Sequence, residues 1–141
     1  MAITYLLDTN ILSEPMRKVP NAHVMEQLQS GAGKIAMAAT TWHELLFGLL
    51  RMPASYKRTV IEHYFFNTLQ KEIPILSYDA DAAAWFAAER ARLTKIGRPP
   101  SYPDGQIAAI AATNNLTLVT RNMPDFDHFA DLHIENWFEM S

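Results

Sequence analysis

The chain has 141 residues, of which 49% are hydrophobic and 19% are charged, a balance typical of a soluble globular protein. It contains no cysteine, which excludes disulfide bonds, thiolate metal sites and a cysteine nucleophile. No apolar run approaches the ~18 residues that a membrane span needs, and we find no signal peptide. The formal net charge is -3, so a nucleic-acid partner would need a local basic patch. We expect one cytoplasmic domain spanning residues 1–141 that does not contact membranes.

The first predicted element is an apolar run, Ile3 to Leu7, which ends abruptly in Asp8. Its composition predicts a buried strand of a parallel sheet, with Asp8 at the carboxyl end of the strand. Thr9 and Asn10 favour a turn or a helix start directly after it. The first half of the chain then predicts helices at 10–14 and 21–30, a strand at 34–38 and a helix that ends near Arg51, with Thr40 and Thr41 as N-cap candidates. After these elements, the sequence predicts a helix at 56–69, with Val60, Tyr64 and Leu69 facing inward, and a strand at 72–76.

The second half continues this alternation. Asp79 is predicted to cap a long helix that reaches about residue 96 and ends at Gly97. There follow a proline-rich loop at 98–103, an Ala- and Ile-rich helix at 104–114, a strand at 116–120, a loop or short helix at 121–127 and a fifth strand at 132–135. Strands that alternate with helices form βαβ units. We therefore expect an α/β fold, a three-layer α/β/α sandwich around a mostly parallel sheet of four or five strands.

Four carboxylates occupy comparable positions in this plan: Asp8 after the first strand, Glu44 just inside a helix, Asp104 at a helix start and Asp125 after the fourth strand. Each has a structural explanation when taken alone. Asp8 can form a turn, Thr41 to Glu44 matches a capping box, and acids are favoured in a first helical turn. Strand ends and helix starts of parallel units nevertheless meet at one edge of the sheet, which is where ligands bind.

Carboxylates that converge there would repel one another. Two of them about 4 Å apart repel by about 4 kcal/mol at an effective dielectric of about 20, and a bound cation offsets this cost. Hard oxygen ligands, with no His or Cys beside them, select Mg²⁺ or Mn²⁺. The five histidines show no recurrent ligand spacing and are interpreted as surface or core residues. Trp42, Leu46 and Phe47 fit a buried apolar helix face.

Four motifs in order, LLDTNILSE, AATTWHELLFG, YPDGQIAAIA and LVTRNMPDF, resemble those of the PIN-domain family and most of all its VapC-type toxin ribonucleases. The resemblance implies a PIN-like α/β/α fold, Mg²⁺- or Mn²⁺-dependent RNA cleavage, a homodimer and inhibition by a cognate VapB-type antitoxin. It identifies Asp8, Glu44 and Asp104 as the acidic set, with Thr9 and Asn10 as accompanying polar residues. The chain departs from the family at Asn122, where the fourth acid is expected, and Asp125 is the alternative for that role.

The chemistry of this set suggests a role for each member. Asp8 and Asp104 are the expected direct metal ligands, while Glu44 ligates directly, ligates through water or orients the attacking water. Asp125, or Asn122 through its carbonyl oxygen, would fill an outer position. Thr9 and Thr120 are expected to hydrogen-bond the carboxylates or the scissile phosphate. Hydrolysis by a metal-activated water would leave a 5′-phosphate and a 3′-hydroxyl.

Basic residues near these motifs have two explanations, a solvated helix face or phosphate binding. The candidates for RNA contacts are Arg90, Arg92, Lys95 and Arg98, around the end of the long helix, and Arg121, beside the fourth motif. Leu45, Leu49, Leu50 and Met52 are candidates for an antitoxin groove.

Two other functions remain open from the sequence. One is a PIN-like module that binds RNA or protein without cutting, which the altered fourth position allows. The other is a phosphohydrolase of the haloacid-dehalogenase type, in which an aspartate after the first strand is the nucleophile. That family expects a second aspartate two residues later, where this chain has Asn10.

Overall fold

A sheet of five parallel strands forms the centre of the protein, in the order β3-β2-β1-β4-β5. The structure, a computed structural model, describes residues 2–139. The strands are β1 (Tyr5–Leu7), β2 (Ile35–Ala38), β3 (Ile75–Leu76), β4 (Thr117–Val119) and β5 (Ile134–Glu135). The first strand of the sequence thus lies in the middle of the sheet, between β2 and β4. The predicted parallel sheet is confirmed, including its fifth strand.

Helices connect the strands and cover both faces of the sheet. They are α1 (Thr9–Leu12), α2 (Ala22–Ser30), α3 (Ala39–Arg51), α4 (Tyr56–Tyr64), α5 (Gln70–Glu72), α6 (Ala80–Lys95) and α7 (Tyr102–Thr113). Short 3₁₀ turns occur at Glu14–Met16 and Met123–Asp125, and a π-helical turn, Phe65–Leu69, joins α4 to α5. The side chains of Asn21, Asp79 and Ser101 cap α2, α6 and α7, each accepting a backbone N–H from the first turn.

Two apolar cores lie on opposite faces of the sheet, because successive side chains of a strand point to opposite sides. Leu6 and Leu118 face a core that is completed by α6 and α7. Their neighbours Leu7 and Val119 face a second core, built with α1, α2, α3 and the π-helical turn. This arrangement is the α/β/α sandwich that the sequence predicts. Within residues 2–139, no helix is long and apolar enough to cross a membrane.

The start of α3 differs from the prediction. The helix begins at Ala39 with Ala38 as its N-cap residue, so β2 runs directly into α3 without a loop. Thr41 is fully buried, and its hydroxyl has no hydrogen-bond partner within residues 2–139. The predicted caps at Thr40 and Thr41, and the capping box from Thr41 to Glu44, are therefore wrong. Glu44 lies in the second turn of α3, so capping does not explain its presence.

Several burial predictions on α3 and α4 are also wrong. Phe47 is 55% exposed and Val60 is 41% exposed, whereas both were expected to face the core. Leu45 and Leu49 lie in the core and are not available to an antitoxin. Because residues two apart on a helix point in nearly opposite directions, Phe47 cannot share the buried face of Leu45 and Leu49. The predicted helix at 56–69 is interrupted by the π-helical turn.

Candidate active site

Asp8 occupies the carboxyl end of the central strand and is only 7% exposed. Its extended backbone makes it the N-cap residue of α1, and Oδ1 accepts the backbone N–H of Thr9 at 2.8 Å. Oδ2 accepts the hydroxyl of Thr120, also at 2.8 Å. Burial raises the pKa of Asp8 above its ordinary value, although these two hydrogen bonds act in the opposite direction. The carboxylate is thus held rigidly at a site that disfavours its charge.

Glu44 and Asp104 reach the same edge of the sheet from different helices. Glu44 is exposed on α3, and its pKa is raised first by partial burial and then by the charges of Asp8 and Asp104. Asp104 lies in the first turn of α7, where its backbone N–H donates to the Ser101 hydroxyl oxygen at 3.3 Å. Burial also raises the pKa of Asp104, and the charges of Asp125 and Asp8 raise it further. The fold therefore brings these acids, which are distant in sequence, into one electrostatic cluster.

Asp125 and Asn122 differ in their relation to this cluster. Asp125 ends the 3₁₀ turn after β4 and is exposed, and its charge raises the pKa of both Asp8 and Asp104. Asn122 is also exposed, and its backbone N–H donates to the Thr120 hydroxyl oxygen at 3.0 Å. Asp125 thus interacts electrostatically with the acids, while Asn122 supports the hydroxyl that bonds Asp8.

The polar residues of the first motif connect β1 to the segment after β4. Asn10 Oδ1 accepts the backbone N–H of Arg121 at 3.1 Å, a bond between residues 111 positions apart. Thr120 is fully buried and bonds both Asp8 and Asn122. Asn10 and Thr120 therefore hold the segment that contains Asp125 against the segment that contains Asp8.

The acids are not neutralised by ion pairs with Lys, Arg or His in the part of the chain that the structure describes. Within residues 2–139, none of Asp8, Glu44, Asp104 and Asp125 forms an ion pair. Nor do any three His, Asp or Glu side chains of that range come close enough to hold one metal ion between them. Mg²⁺ suits such a site, since it retains several waters and is usually held by only one or two carboxylates with substrate phosphates. The two oxygens of Asp8 each keep a lone pair beyond their hydrogen bonds, so this donor set fits a hard divalent cation.

The basic residues predicted to contact RNA lie in different surroundings. Arg98 lines a hollow of about 400 Å³ together with Asp104 and Asp125. The guanidinium of Arg121 stacks over the Phe138 ring at 4.5 Å, and that of Arg90 over the Tyr102 ring at 4.8 Å. Arg92 is engaged within the chain, since it donates to Glu89 and to the carbonyl oxygen of His128. Lys95 is exposed at the end of α6.

One residue beside the acids, His128, was not predicted to belong to the site. His128 lines the same hollow as Arg98, and its charge lowers the pKa of Asp104. Its ring stacks on Phe129 with the centroids 4.7 Å apart. The histidine was interpreted as a surface or core residue because nothing in its spacing from the acids indicates a site. Only the return of the loop after β4 toward α7 brings it there.

Comparison with known proteins agrees with this geometry. Residues 5–132 match the PIN domain. The tRNA(fMet)-specific endonuclease VapC of Shigella flexneri is 30% identical over 135 residues, which cover 96% of this chain and 98% of the relative. Toxin FitB of Neisseria gonorrhoeae is 32% identical over 124 residues, which cover 86% of this chain and 89% of the relative.

Solved structures show the same fold. The structure of FitAcB from Neisseria gonorrhoeae has a TM-score of 0.89 and 31% identity, over 97% of this chain and all of that chain (100%). The DNA-bound VapBC of Salmonella typhimurium has a TM-score of 0.81 and 26% identity, over 96% of this chain and 98% of that chain. The chain therefore belongs to the PIN-domain family and, within it, to the VapC-type ribonucleases that are the toxins of type II toxin–antitoxin systems.

Proposed function

We propose that this ribonuclease is a Mg²⁺-dependent endonuclease, with Mn²⁺ as an alternative ion, and that Asp8, Glu44 and Asp104 hold the ion, one or two of them directly and the rest through its bound waters. The observation that carries the proposal is the mutual effect of these carboxylates. Each has a raised pKa, and the charges of neighbouring acids contribute to every one of the three. A fold tolerates such repulsion when a cation offsets it. Asp125 is the fourth acid in this proposal because its charge acts on both Asp8 and Asp104.

When bound, the ion would polarise a phosphoryl oxygen and make a bound water more acidic. The protein supplies the positioning. Thr9 and Thr120 hold the two oxygens of Asp8, so that this carboxylate needs no rearrangement when RNA arrives. Glu44, which is exposed and has a raised pKa, is suited to orient the attacking water and to accept its proton. The products would be a 5′-phosphate and a 3′-hydroxyl.

The RNA backbone would enter past Arg98 and His128 on one side and past Arg121 on the other. Arg98 and His128 line the hollow that contains Asp104 and Asp125, and the backbone of Arg121 bonds Asn10, two residues from Asp8. The positive charges of the two arginines offset an acidic cluster that would otherwise repel phosphate. Arg90 and Lys95 would extend the contact along α6, whereas Arg92 would act indirectly, by holding the loop that carries His128. A relative from Shigella flexneri is specific for tRNA(fMet), so transfer RNA is the first substrate to test.

A cognate VapB-type antitoxin is the proposed protein partner, and the chain is proposed to act as a homodimer in the cytoplasm. Relatives have been solved as toxin–antitoxin complexes, among them VapBC from Salmonella typhimurium. A groove of about 1060 Å³ between α2 and the π-helical turn is lined by Met25, Leu28, Leu69 and Ile73. Its apolar lining fits an amphipathic antitoxin helix better than RNA.

The test is to incubate the purified protein with total RNA and Mg²⁺ and to map the new 5′ ends. We expect discrete cuts that EDTA abolishes and that neither Asp8→Asn nor Asp104→Asn produces. Circular dichroism would verify that both variants fold. Cleavage by both variants at the wild-type rate would refute the assignment of these acids. RNA binding without cleavage would indicate a binding module, and a covalent aspartyl-phosphate on Asp8 would indicate the phosphohydrolase.

A further inference from the structure

The side chain of Arg121 has an aromatic support but no polar partner. Its guanidinium lies 4.5 Å from the centre of the Phe138 ring, and only its backbone N–H donates to Asn10. Within residues 2–139, the guanidinium forms no hydrogen bond and no ion pair. Stacking covers one face of a guanidinium, whereas its N–H donors lie in the plane of the group. The edge of this arginine is therefore available to an anion.

The ring of Phe138 is held in place by the segment that follows β5. The backbone N–H of Phe138 donates to Oδ1 of Asn136 at 2.9 Å, and the indole N–H of Trp137 donates to Glu135 at 3.1 Å. His23 of α2 donates from Nδ1 to the carbonyl oxygen of Trp137 at 2.7 Å. The arginine thus stacks on a ring whose position is already fixed, so that little ordering is needed when a ligand binds.

The same arginine lines a hollow of about 380 Å³, here called the Arg121 hollow. The other residues that line it are Asn10, Ser13, Glu14, Arg17 and Phe138. Its two arginines and one glutamate leave the lining with a net charge of +1, although the whole chain carries -3. Asn10 is two residues from Asp8, so the hollow begins beside the acids at the carboxyl edge of the sheet. An RNA chain bound at the acids can therefore place a neighbouring phosphate in it.

The one acid of the hollow has partners within the chain. Glu14 is only 3% exposed, since Oε2 accepts the backbone N–H of Asn21 at 2.7 Å and Oε1 lies 3.5 Å from Nη1 of Arg17. The side chain of Arg17 is nevertheless 60% exposed, which leaves donors open to solvent. Asn10 uses Oδ1 for the backbone of Arg121, so its amide NH₂ group is a further donor. The hollow thus combines two guanidinium groups with an amide, a donor set that matches the oxygens of a phosphate.

We propose that the Arg121 hollow binds the phosphate next to the one that is cut, with Arg17 and Arg121 as its charged contacts and Phe138 as the residue that positions Arg121. This inference rests on the proposed ribonuclease function and deepens it by assigning a second phosphate position. Arginine suits the role because its planar fork binds two phosphate oxygens at once. A phosphate carries no base identity, so the hollow contributes affinity and not sequence preference. An acidic protein segment would offer carboxylates in place of phosphates, and the test below separates the two.

The test is fluorescence anisotropy with fluorescein-labelled bulk transfer RNA over a range of salt concentrations. All variants are made in the Asp8→Asn background and kept in EDTA, so that the probe is not cut. We expect Arg17→Gln and Arg121→Gln each to weaken binding about tenfold at low salt, and to lower the slope of log Kd against log salt by about one. Lys71→Gln is the matched control, because it removes the same charge from α5, which leads into β3 at the opposite edge of the sheet. It should bind as the parent does.

A double-mutant cycle tests the positioning role of Phe138. Phe138→Leu keeps an apolar side chain but removes the ring, and we expect it to weaken RNA binding about threefold. In the Arg121→Gln protein the same change should have no further effect, because there is no guanidinium to position. Phe138→Tyr should bind as the parent does, since it keeps the stacking face. A purely structural role for Phe138 would lower the Tm without this dependence on Arg121.

Three results would overturn the proposal. The first is that Arg17→Gln and Arg121→Gln bind transfer RNA as tightly as Lys71→Gln, or that the parent does not bind it at all. The second is that Phe138→Leu weakens binding equally with and without Arg121. The third is that Arg121→Gln weakens the binding of a fluorescein-labelled hexaglutamate peptide but not that of RNA, which would assign the hollow to an acidic protein segment.

Cleavage kinetics with the native Asp8 distinguish this failure from that of the proposed function. On the site mapped with total RNA, we expect Arg121→Gln to raise KM about tenfold and to change kcat little, because the contact is equally strong before and during the reaction. If the unaltered protein and Arg121→Gln cut with equal KM, only the inference about the hollow fails. If the unaltered protein makes no Mg²⁺-dependent cut, the proposed function fails.

Discussion

The hydroxyl of Thr120 bonds Oδ2 of Asp8 at 2.8 Å, and this contact joins the carboxyl ends of β4 and β1 at the candidate active site. We expect Thr120→Val to preserve the shape of the side chain and remove the bond. Loss of a hydrogen bond to the charged carboxylate raises the pKa of Asp8 further, so activity at neutral pH should fall about tenfold, equivalent to about 1.4 kcal/mol. The measurement is kcat/KM on a mapped RNA site. Thr117→Val, at the start of β4, is the control, and equal activity of the two variants would contradict the role of Thr120.

The raised pKa of Asp8 has a consequence for stability. Because the pKa in the folded state lies above the ordinary value of 3.8, the charged carboxylate destabilises the fold at neutral pH. This cost disappears as the pH falls through the folded-state pKa toward 3.8. In EDTA we therefore expect Asp8→Asn to have a higher Tm than the wild type at pH 7, by a margin that shrinks on acidification. Asparagine also retains the N-cap bond to Thr9.

Mg²⁺ provides the complementary measurement. If Asp8 helps to hold the ion, Mg²⁺ should raise the Tm of the wild type more than that of Asp8→Asn, because a ligand stabilises the state that binds it. A difference in Tm between Asp8→Asn and the wild type that does not depend on pH would contradict the prediction for EDTA. An equal rise in the Tm of both proteins on adding Mg²⁺ would contradict the prediction for the ion.

Two helix glycines should respond in opposite ways to the same substitution. A Cβ atom on Gly105 of α7 would overlap the ring of Phe86, which is buried in the core. Gly105→Ala should therefore lower the free energy of unfolding by about 1–3 kcal/mol through overpacking. Gly48→Ala should raise it by up to about 1 kcal/mol, because the added methyl group meets nothing and favours the helix. Urea denaturation measures both, and a stable Gly105→Ala protein would mean that Phe86 can move aside.

Glu89 fixes the loop after β4 to α6. Its carboxylate accepts two hydrogen bonds from Arg92, at 2.8 and 2.9 Å, and one from the backbone N–H of Ala130 at 2.6 Å. The Arg92 bonds are the main reason that the pKa of Glu89 is lowered from 4.5. The stabilisation is thus present above pH 4.5 and lost as the pH falls through the lower folded-state value.

We expect Glu89→Gln to lower the free energy of unfolding at pH 7 by about 1–3 kcal/mol. The variant should also lose activity, because Arg92 bonds the carbonyl of His128 in the loop that contains Asp125. Thermal denaturation across this pH range is the measurement, with the exposed Glu62→Gln as control. A variant as stable as that control would show that the loop is held by other contacts.

The sequence predicts those parts of the fold that depend on local chemistry. Asp79 caps α6 as expected, because an N-cap side chain bonds backbone only a few residues away. The start of α3 was predicted wrongly because an N-cap at Thr41 would stabilise the helix by only about 1 kcal/mol, which is less than the stabilisation from burying that turn. The π-helical turn has no glycine or proline to mark it, and it coincides with Phe65 and Leu69 entering the core.

The geometry of the site is harder to predict from local sequence than the helix caps are. Periodicity predicts that Asp8, Glu44, Asp104 and Asp125 follow strands or begin helices, but the order of the strands decides which of them meet. That order depends on contacts between distant segments, and only the resemblance to a known family indicated it. The placement of His128 and the exposure of Phe47 were missed because they depend on which way a loop returns and which face of α3 is covered. Phe47 in particular was assigned to the core from its hydrophobicity alone.

The position of β1 between β2 and β4 has a consequence for the synthesis of the protein. The ribosome makes β1 first, but its neighbour β4 and the bonds from Thr120 and Arg121 to Asp8 and Asn10 come from the last quarter of the chain. A nascent chain that ends before β4 can fold its early helices but cannot assemble the acids. We therefore expect the enzyme to become able to cut RNA only when translation is nearly complete. Messages truncated before residue 120 should therefore yield fragments without ribonuclease activity.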